Sequence, residues 1–109
     1  MAYDKVLADR IRKALGKQPK LSEREMFGGI GFMLRGNMAC GVIGDELMVR
    51  IAKEATQATL KLPGARIFDF QGRPSQGWIM VNQSVLATPA GLRAWIKRGV
   101  EYALSLPAK

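Results

Sequence analysis

The hydrophobic pattern is clearest between Met26 and Ile51, where three apolar runs alternate with two short polar breaks, Arg35-Gly36-Asn37 and Gly44-Asp45. Apolar runs separated by such breaks predict a three-stranded antiparallel meander. A three-residue loop with Asn37 in the left-handed conformation, followed by a two-residue turn, would place alternate residues of all three strands on one face. This apolar face would consist of Ile30, Phe32, Leu34, Met38, Cys40, Val42, Leu47, Val49 and Ile51. The opposite, mixed face would carry Met33, Ala39, Gly41, Ile43, Glu46, Met48 and Arg50.

Helical spacing of apolar residues predicts three helices around this meander. The first spans about Ala2 to Leu15 and ends at Gly16, with an apolar stripe formed by Tyr3, Leu7, Ile11, Ala14 and Leu15. A short middle helix is expected over Lys53 to Leu62, before Pro63-Gly64. The closing helix starts at Thr88-Pro89, an N-cap residue followed by proline at the first helical position, and runs to about Ser105.

Two further apolar runs follow the middle helix. Ala65 to Phe70 and Trp78 to Leu86 alternate as strands, and a loop over Gln71 to Gly77 separates them. Ser22 to Met26 is expected to lead into the first strand of the meander. The sequence therefore predicts an α+β fold, with an antiparallel β-sheet of about five or six strands, an N-terminal three-stranded meander, and N-terminal, middle and C-terminal helices flanking the sheet.

Length and cysteine content suggest a small protein of a reducing compartment. The 109 residues are expected to form one domain over residues 1–109. The single cysteine rules out an internal disulfide, which is typical of a cytoplasmic protein. No signal-peptide pattern is visible, and the apolar stretches are too short to span a membrane, so we expect a cytoplasmic location and no membrane partner.

The charge balance adds a candidate function. The chain has 17 Lys and Arg against 9 Asp and Glu, a net charge of +8. Such a bias favours polyanions or simply keeps a small protein soluble. Aromatic residues are not interleaved with these charges, as they would be in a single-strand binding groove. The candidate phosphate contacts are Lys5, Arg12, Lys13, Lys17 and Lys20.

The residue types argue against catalysis. The chain has no histidine, which removes the commonest general base and most zinc sites. Cys40 lies in a strand pattern and is expected to be a core thiol. Gly28-Gly29-Ile30-Gly31 lacks the third glycine and the following helix of a dinucleotide loop, so it is expected to be a strand entry. We expect no catalytic residues, no metal and no cofactor.

Three residues are candidates for binding a partner or ligand. Arg73 and Trp78 lie near each other in the predicted loop, where an anion or peptide anchor would suit them. Equally, Trp78 would serve as a core residue under that loop. Arg50 is a charge within an otherwise apolar strand, and either a ligand or a solvated sheet face would explain it.

Several short motifs spread over nearly the whole chain together resemble one family. They are Met26-Phe27-Gly28-Gly29, Gly36-Asn37-Met38, Leu47-Met48-Val49-Arg50, Gly72-Arg73-Pro74 and Gly77-Trp78, followed by Leu92 and Trp95. On these motifs the chain resembles the N-terminal domain of the TfoX/Sxy competence regulators, and more closely the small stand-alone bacterial proteins of that family. Met26, Phe27, Gly28 and Gly29 are interpreted as structural.

The resemblance implies an antiparallel sheet flanked by helices and a regulatory role. In the two-domain members this role is regulation of DNA-uptake competence together with a transcription activator. The two-domain members carry a second, helical domain, whereas this chain is expected to hold the first alone. The family is not known for enzymes and supplies no catalytic residues.

Two functions stay open on the sequence. The first is a non-enzymatic regulatory module that binds a protein partner through one sheet face or through the Arg73/Trp78 loop. The alternative is a small basic protein that binds nucleic acid. An exposed apolar sheet face would also suit a homodimer.

Overall fold

The fold is a six-stranded antiparallel sheet with the helices packed on one of its faces. The computed structural model describes residues 3–18, 20–26, 28–70 and 72–107, and gives the side chains of neither Met26 nor Phe70. The strands are Leu21–Met26 (β1), Gly29–Leu34 (β2), Asn37–Ile43 (β3), Glu46–Arg50 (β4), Ala65–Phe70 (β5) and Arg73–Val81 (β6). The helices are Lys5–Leu15 (α1), Thr56–Leu60 (α2), Gln83–Leu86 (α3) and Pro89–Ser105 (α4).

The sheet order is β1-β2-β3-β4-β6-β5, which confirms the predicted fold class. The meander is present as β2, β3 and β4, but it is longer than expected. Leu21–Met26 is a separate strand that pairs with β2, rather than a lead-in to it. The middle helix is confirmed as a 3₁₀ turn over Lys53–Ala55 followed by α2.

The prediction for the end of the sheet was partly wrong. Trp78 to Leu86 was expected to be one strand, but β6 runs from Arg73 to Val81 and Gln83–Leu86 forms α3. Asn82 is the cause, because its side-chain oxygen accepts a hydrogen bond from the Ser84 backbone N–H at 2.8 Å. This N-cap satisfies a free donor of the first helical turn and turns the chain out of the sheet.

The first helix packs as its stripe predicts. Leu7, Ile11 and Leu15 are buried against the sheet. The helix starts three residues later than expected, because the Asp4 side chain caps it by accepting hydrogen bonds from the N–H groups of Val6 and Leu7. None of the described helices is long and apolar enough to cross a membrane.

The turn between β2 and β3 differs from the prediction. It is a two-residue turn, in which Arg35 and Gly36 have φ angles of 52° and 84° and Leu34 pairs with Asn37. The extra residue expected in this loop lies instead in the strand: Phe32 pairs with Cys40 and Met33 pairs with Met38, so Ala39 forms a bulge. Cys40 and Val42 keep their predicted face, but Met38 lies on the opposite one.

The bulge coincides with the closest approach of α4 to the sheet. A Cβ atom built on Gly99 would lie 2.1 Å from the carbonyl oxygen of Ala39 and 3.3 Å from Val49. Real side chains do not make a contact of 2.1 Å, so only glycine allows the helix to lie this close. Gly99 is therefore the point at which α4 approaches β3 most closely.

The β2–β3 turn also holds the end of α4. Nη2 of Arg35 donates to the carbonyl oxygen of Leu104 at 2.6 Å, and the buried Asn37 amide donates to that of Pro107 at 2.9 Å. The carbonyl groups in the last turn of a helix receive no hydrogen bond from within the helix, and they carry partial negative charge. A guanidinium that donates to them is therefore favourable. This contact offsets the cost of a positive φ at a residue with a side chain.

We expect Gly99→Ala to lower the free energy of unfolding by about 2 kcal/mol, because the new methyl group must push α4 away from Ala39. The direction of this change is informative, because Ala in place of Gly normally raises the stability of a helix interior by roughly 1 kcal/mol. Urea unfolding followed by circular dichroism measures this. Gly16→Ala is the matched control: apart from its own chain neighbours, no described residue has an atom within 4 Å of a Cβ built there, so its φ of 60° sets its cost. A Gly99→Ala protein as stable as the parent would contradict the packing.

Candidate functional site

The sheet face opposite the helices carries a second apolar cluster, which we call the methionine face. At its centre Met38, Met48 and Met80 are each at most 7% exposed, and Met48 pairs with Met80 across β4 and β6. Partly buried side chains surround them, namely Met33, Ile43, Phe68 and Trp78. In the part of the chain that the structure describes, this cluster contains strand residues alone. The helices therefore cover one side of the sheet, and the methionine face forms the other.

Arg50 lies at the end of the methionine face. Side chains alternate along a strand, so Arg50 shares a face with Met48, and it pairs across strands with Trp78. Its Cζ atom lies 5.2 Å from the ring centroid of Trp78 and 5.4 Å from that of Tyr102 in α4. We call these three residues the Arg50 cluster. The structure thus brings together two of the three candidate binding residues.

The two rings hold the guanidinium in place without using its N–H donors. Each cation–π contact contributes about 0.5–1 kcal/mol at a solvent-accessible site. Among the described residues Arg50 has no carboxylate or carbonyl partner. A half-buried, positioned cation with free donors suits a carboxylate or another anionic group, which guanidinium binds in a bidentate manner.

Arg73 is not part of this cluster. It is exposed and pairs with Phe70 at the other end of β6 from the Arg50–Trp78 pair. The predicted Arg73/Trp78 loop is not a loop, because the described residues from Arg73 to Val81 form one strand. Gln71, at its predicted start, lies outside the described residues.

Trp78 owes its position to a bend in β6. Gly77 has a φ of 89°, and its N–H donates to Oγ1 of Thr56 at 2.9 Å, while its carbonyl oxygen accepts from Ile51 at 2.8 Å. Thr56 is fully buried and was not among the sequence candidates. Tyr102 was also missed, although it follows Trp95 by seven residues, a spacing that places two side chains on the same side of a helix.

The candidate phosphate contacts divide into two kinds. Arg12 is committed to α1 and β1, because it forms hydrogen bonds with both carboxylate oxygens of Glu23 at 2.7 and 2.9 Å and with Asp9 at 2.6 Å. The Arg12 guanidinium holds the pKa of Glu23 below its usual 4.5. The other four are exposed, namely Lys5, Lys13, Lys17 and Lys20. Their role on phosphates stays a prediction.

The family motif lies at the turn between β1 and β2. Gly28 has a φ of 73°, and a Cβ on Gly29 would lie 2.1 Å from the carbonyl oxygen of Val42. These glycines allow a tight turn and a close approach of β2 to β3. Met26 ends β1, its side chain is not described, and Phe27 lies outside the described residues.

The described residues contain no group of three or more acidic or cysteine side chains that could hold a metal ion. Burial raises the pKa of the Cys40 thiol to about 12, so it stays protonated at neutral pH and is a poor nucleophile.

Comparison with known proteins gives one result that covers most of the chain. A family model described as the TfoX N-terminal domain matches residues 13–103. A search of curated proteins gives no match.

The ion pair between Arg12 and Glu23 predicts a pH-dependent contribution to stability. Because folding lowers the pKa of Glu23, its contribution is present above the unfolded value of about 4.5 and is lost as pH falls through the folded value. We expect Glu23→Gln to be less stable than the parent at neutral pH, by no more than about 1 kcal/mol for so exposed a pair. The difference should vanish in acid. Thermal melts across this range test it, with Glu25→Gln on the same strand as control. An equal deficit at all pH values would refute the ion-pair explanation.

Proposed function

The chain belongs to the TfoX N-terminal domain family, a regulatory family not known for enzymes, and from that premise we propose that it acts by binding a protein partner. The Arg50 cluster, at the end of the methionine face, is the observation that supports this proposal. The regulatory role implied by the resemblance, control of DNA uptake together with a transcription activator, would be exercised through such a contact.

The composition of this surface is that of a protein-binding site. Trp, Tyr and Arg are the residues that most often dominate binding energy at protein interfaces. Met33 is the half-buried methionine of this face, and its flexible, polarisable side chain would adapt to the shape of an apolar partner. Arg50, Trp78 and Tyr102 would form the anchor, and the half-buried residues around Met48 would form the adjoining apolar contact.

The energies indicate what the partner must offer. A carboxylate on Arg50 would contribute about 1.5–3 kcal/mol, and one buried apolar side chain a similar amount. Their sum, about 3–6 kcal/mol, reaches only the low end of the cost of association, which is about 4–15 kcal/mol. A partner therefore has to use both the guanidinium and a wide part of the methionine face, and a small anion alone would bind weakly.

We expect Arg50→Gln to weaken partner binding strongly without unfolding the domain. Glutamine keeps a polar side chain but is shorter, and it lacks the charge and the paired N–H donors with which guanidinium binds a carboxylate. Affinity capture from lysate of the source cells, with quantitative mass spectrometry, should show proteins retained by the parent and reduced at least about tenfold with Arg50→Gln.

Two further variants make the comparison specific. Arg73→Ala removes an exposed cation at the far end of β6 and should retain the same proteins as the parent. Arg50→Lys keeps the charge but loses the planar guanidinium that lies over the two rings, so its retention should be intermediate. Melting curves establish that each variant is folded. Equal retention by the parent and by folded Arg50→Gln, or no specific retention by the parent, would refute the proposed function.

A further inference from the structure

The helix layer carries a groove that the Arg50 cluster does not use. Two hollows of about 510 and 290 Å³ lie between α1 and α4, and they adjoin each other because Ala14 and Arg93 line both. We call this feature the α1–α4 groove. It shares no lining residue with the Arg50 cluster or the methionine face.

The floor of the groove is apolar. Leu15 and Ile96 are buried in it and Val100 is half-buried, and the exposed side chains of Ala90 and Ala94 extend the apolar lining along α4. The α4 residues recur at helical spacing from Ala90 to Val100, so the groove follows the helix axis for roughly 15 Å, or nearly three turns. Small side chains along such a line allow another helix to approach closely.

The charged side chains that line the groove are cationic. They are Arg10 and Lys13 of α1 and Arg93 and Lys97 of α4, and none of the described lining residues is acidic. Nη2 of Arg10 donates to the carbonyl oxygen of Leu86 at 2.6 Å, which holds this cation along the groove. In the described part of the chain, Lys13, Arg93 and Lys97 form no ion pair.

From this arrangement we infer that the α1–α4 groove binds an acidic amphipathic helix of a partner protein. Apolar side chains at helical spacing would occupy the floor, and carboxylates flanking that stripe would meet the cations on both sides. The inference goes beyond the proposed function, because it concerns a separate surface and holds whether or not the Arg50 cluster binds a partner.

The same features disfavour the other occupants of a basic groove. A nucleic acid would contact the rim through its phosphates but leave the apolar floor unfilled, and none of the described residues that line the groove is an aromatic side chain for stacking with bases. A second copy of this chain is also a poor fit, because its net charge is +8 and its two long helices are themselves basic. Charge complementarity therefore favours an acidic partner that is a different protein.

Fluorescence anisotropy with designed peptides tests the inference. The first probe is a fluorescein-labelled peptide of about 16 residues, with Leu at helical spacing and Glu on both flanks. The second has the same composition in an order without an apolar stripe, and the third has Lys in place of Glu. We expect the first to bind and the other two to bind at least about tenfold more weakly.

Variants on the groove locate the binding. The double variant Arg93→Glu, Lys97→Glu should weaken binding of the first peptide at least about tenfold. Its control, Arg24→Glu with Arg73→Glu, makes the same change in net charge at exposed positions outside the groove and should bind as the parent does. Ala94→Leu adds a bulky side chain to the lining at an exposed position without changing the charge, and it should also weaken binding. Arg50→Gln should bind the peptide normally, which separates this test from that of the proposed function.

Three results would overturn the inference. The first is binding by none of the peptides. The second is equal binding of the ordered and the scrambled acidic peptide, which would indicate charge attraction alone. The third is tight binding of duplex DNA that falls steeply with salt and is lost with Arg93→Glu, Lys97→Glu, which would identify the groove as a phosphate-binding surface.

Discussion

The close contact between Gly99 and the Ala39 carbonyl sets the position of α4, and most of the molecule depends on that position. No residue with a Cβ fits there, because the added atom would lie 2.1 Å from the oxygen. The contact lets Leu92, Trp95, Ile96 and Ala103 reach the sheet. Arg35 and Asn37 then hold the C-terminal end of the helix. Both candidate surfaces follow from this arrangement, since α4 supplies Tyr102 to the Arg50 cluster and one wall of the α1–α4 groove.

The bulge at Ala39 determines which residues meet on each side of the sheet. Strand side chains alternate, so one inserted residue moves every position beyond it to the other face. Here the change transfers Met38 from the helix side to the side of Met48 and Met80, and completes the methionine face. The same sequence with a longer turn and a regular strand would have put Met38 under α4. One residue therefore decides the composition of both faces.

The ion pairs leave the positive charge unevenly distributed. Asp9 and Glu23 neutralise Arg12, and Glu46 pairs with Arg66 on the sheet. The Arg66 guanidinium lowers the pKa of Glu46, as Arg12 does for Glu23. Such pairs connect neighbouring elements but contribute little to stability at exposed positions. The cations of the α1–α4 groove have no such partner among the described residues, so the surplus charge implied by the sequence is concentrated on the helix layer.

Local patterns in the sequence determined the fold class, the meander, the apolar stripe of α1 and the capped start of α4, because each depends on residues close together in the chain. The motifs carried the resemblance that the family match over residues 13–103 confirms. Tertiary structure alone decided where the extra residue of the β2–β3 connection lies, since a loop and a bulge satisfy the same pattern. It also decided that Arg50 meets Tyr102 across 52 residues of chain, whereas Arg73 and Trp78, only five residues apart, lie towards opposite ends of β6. Residues within one extended strand are held apart by their separation along the chain, whereas contacts between residues of different elements depend on how those elements pack.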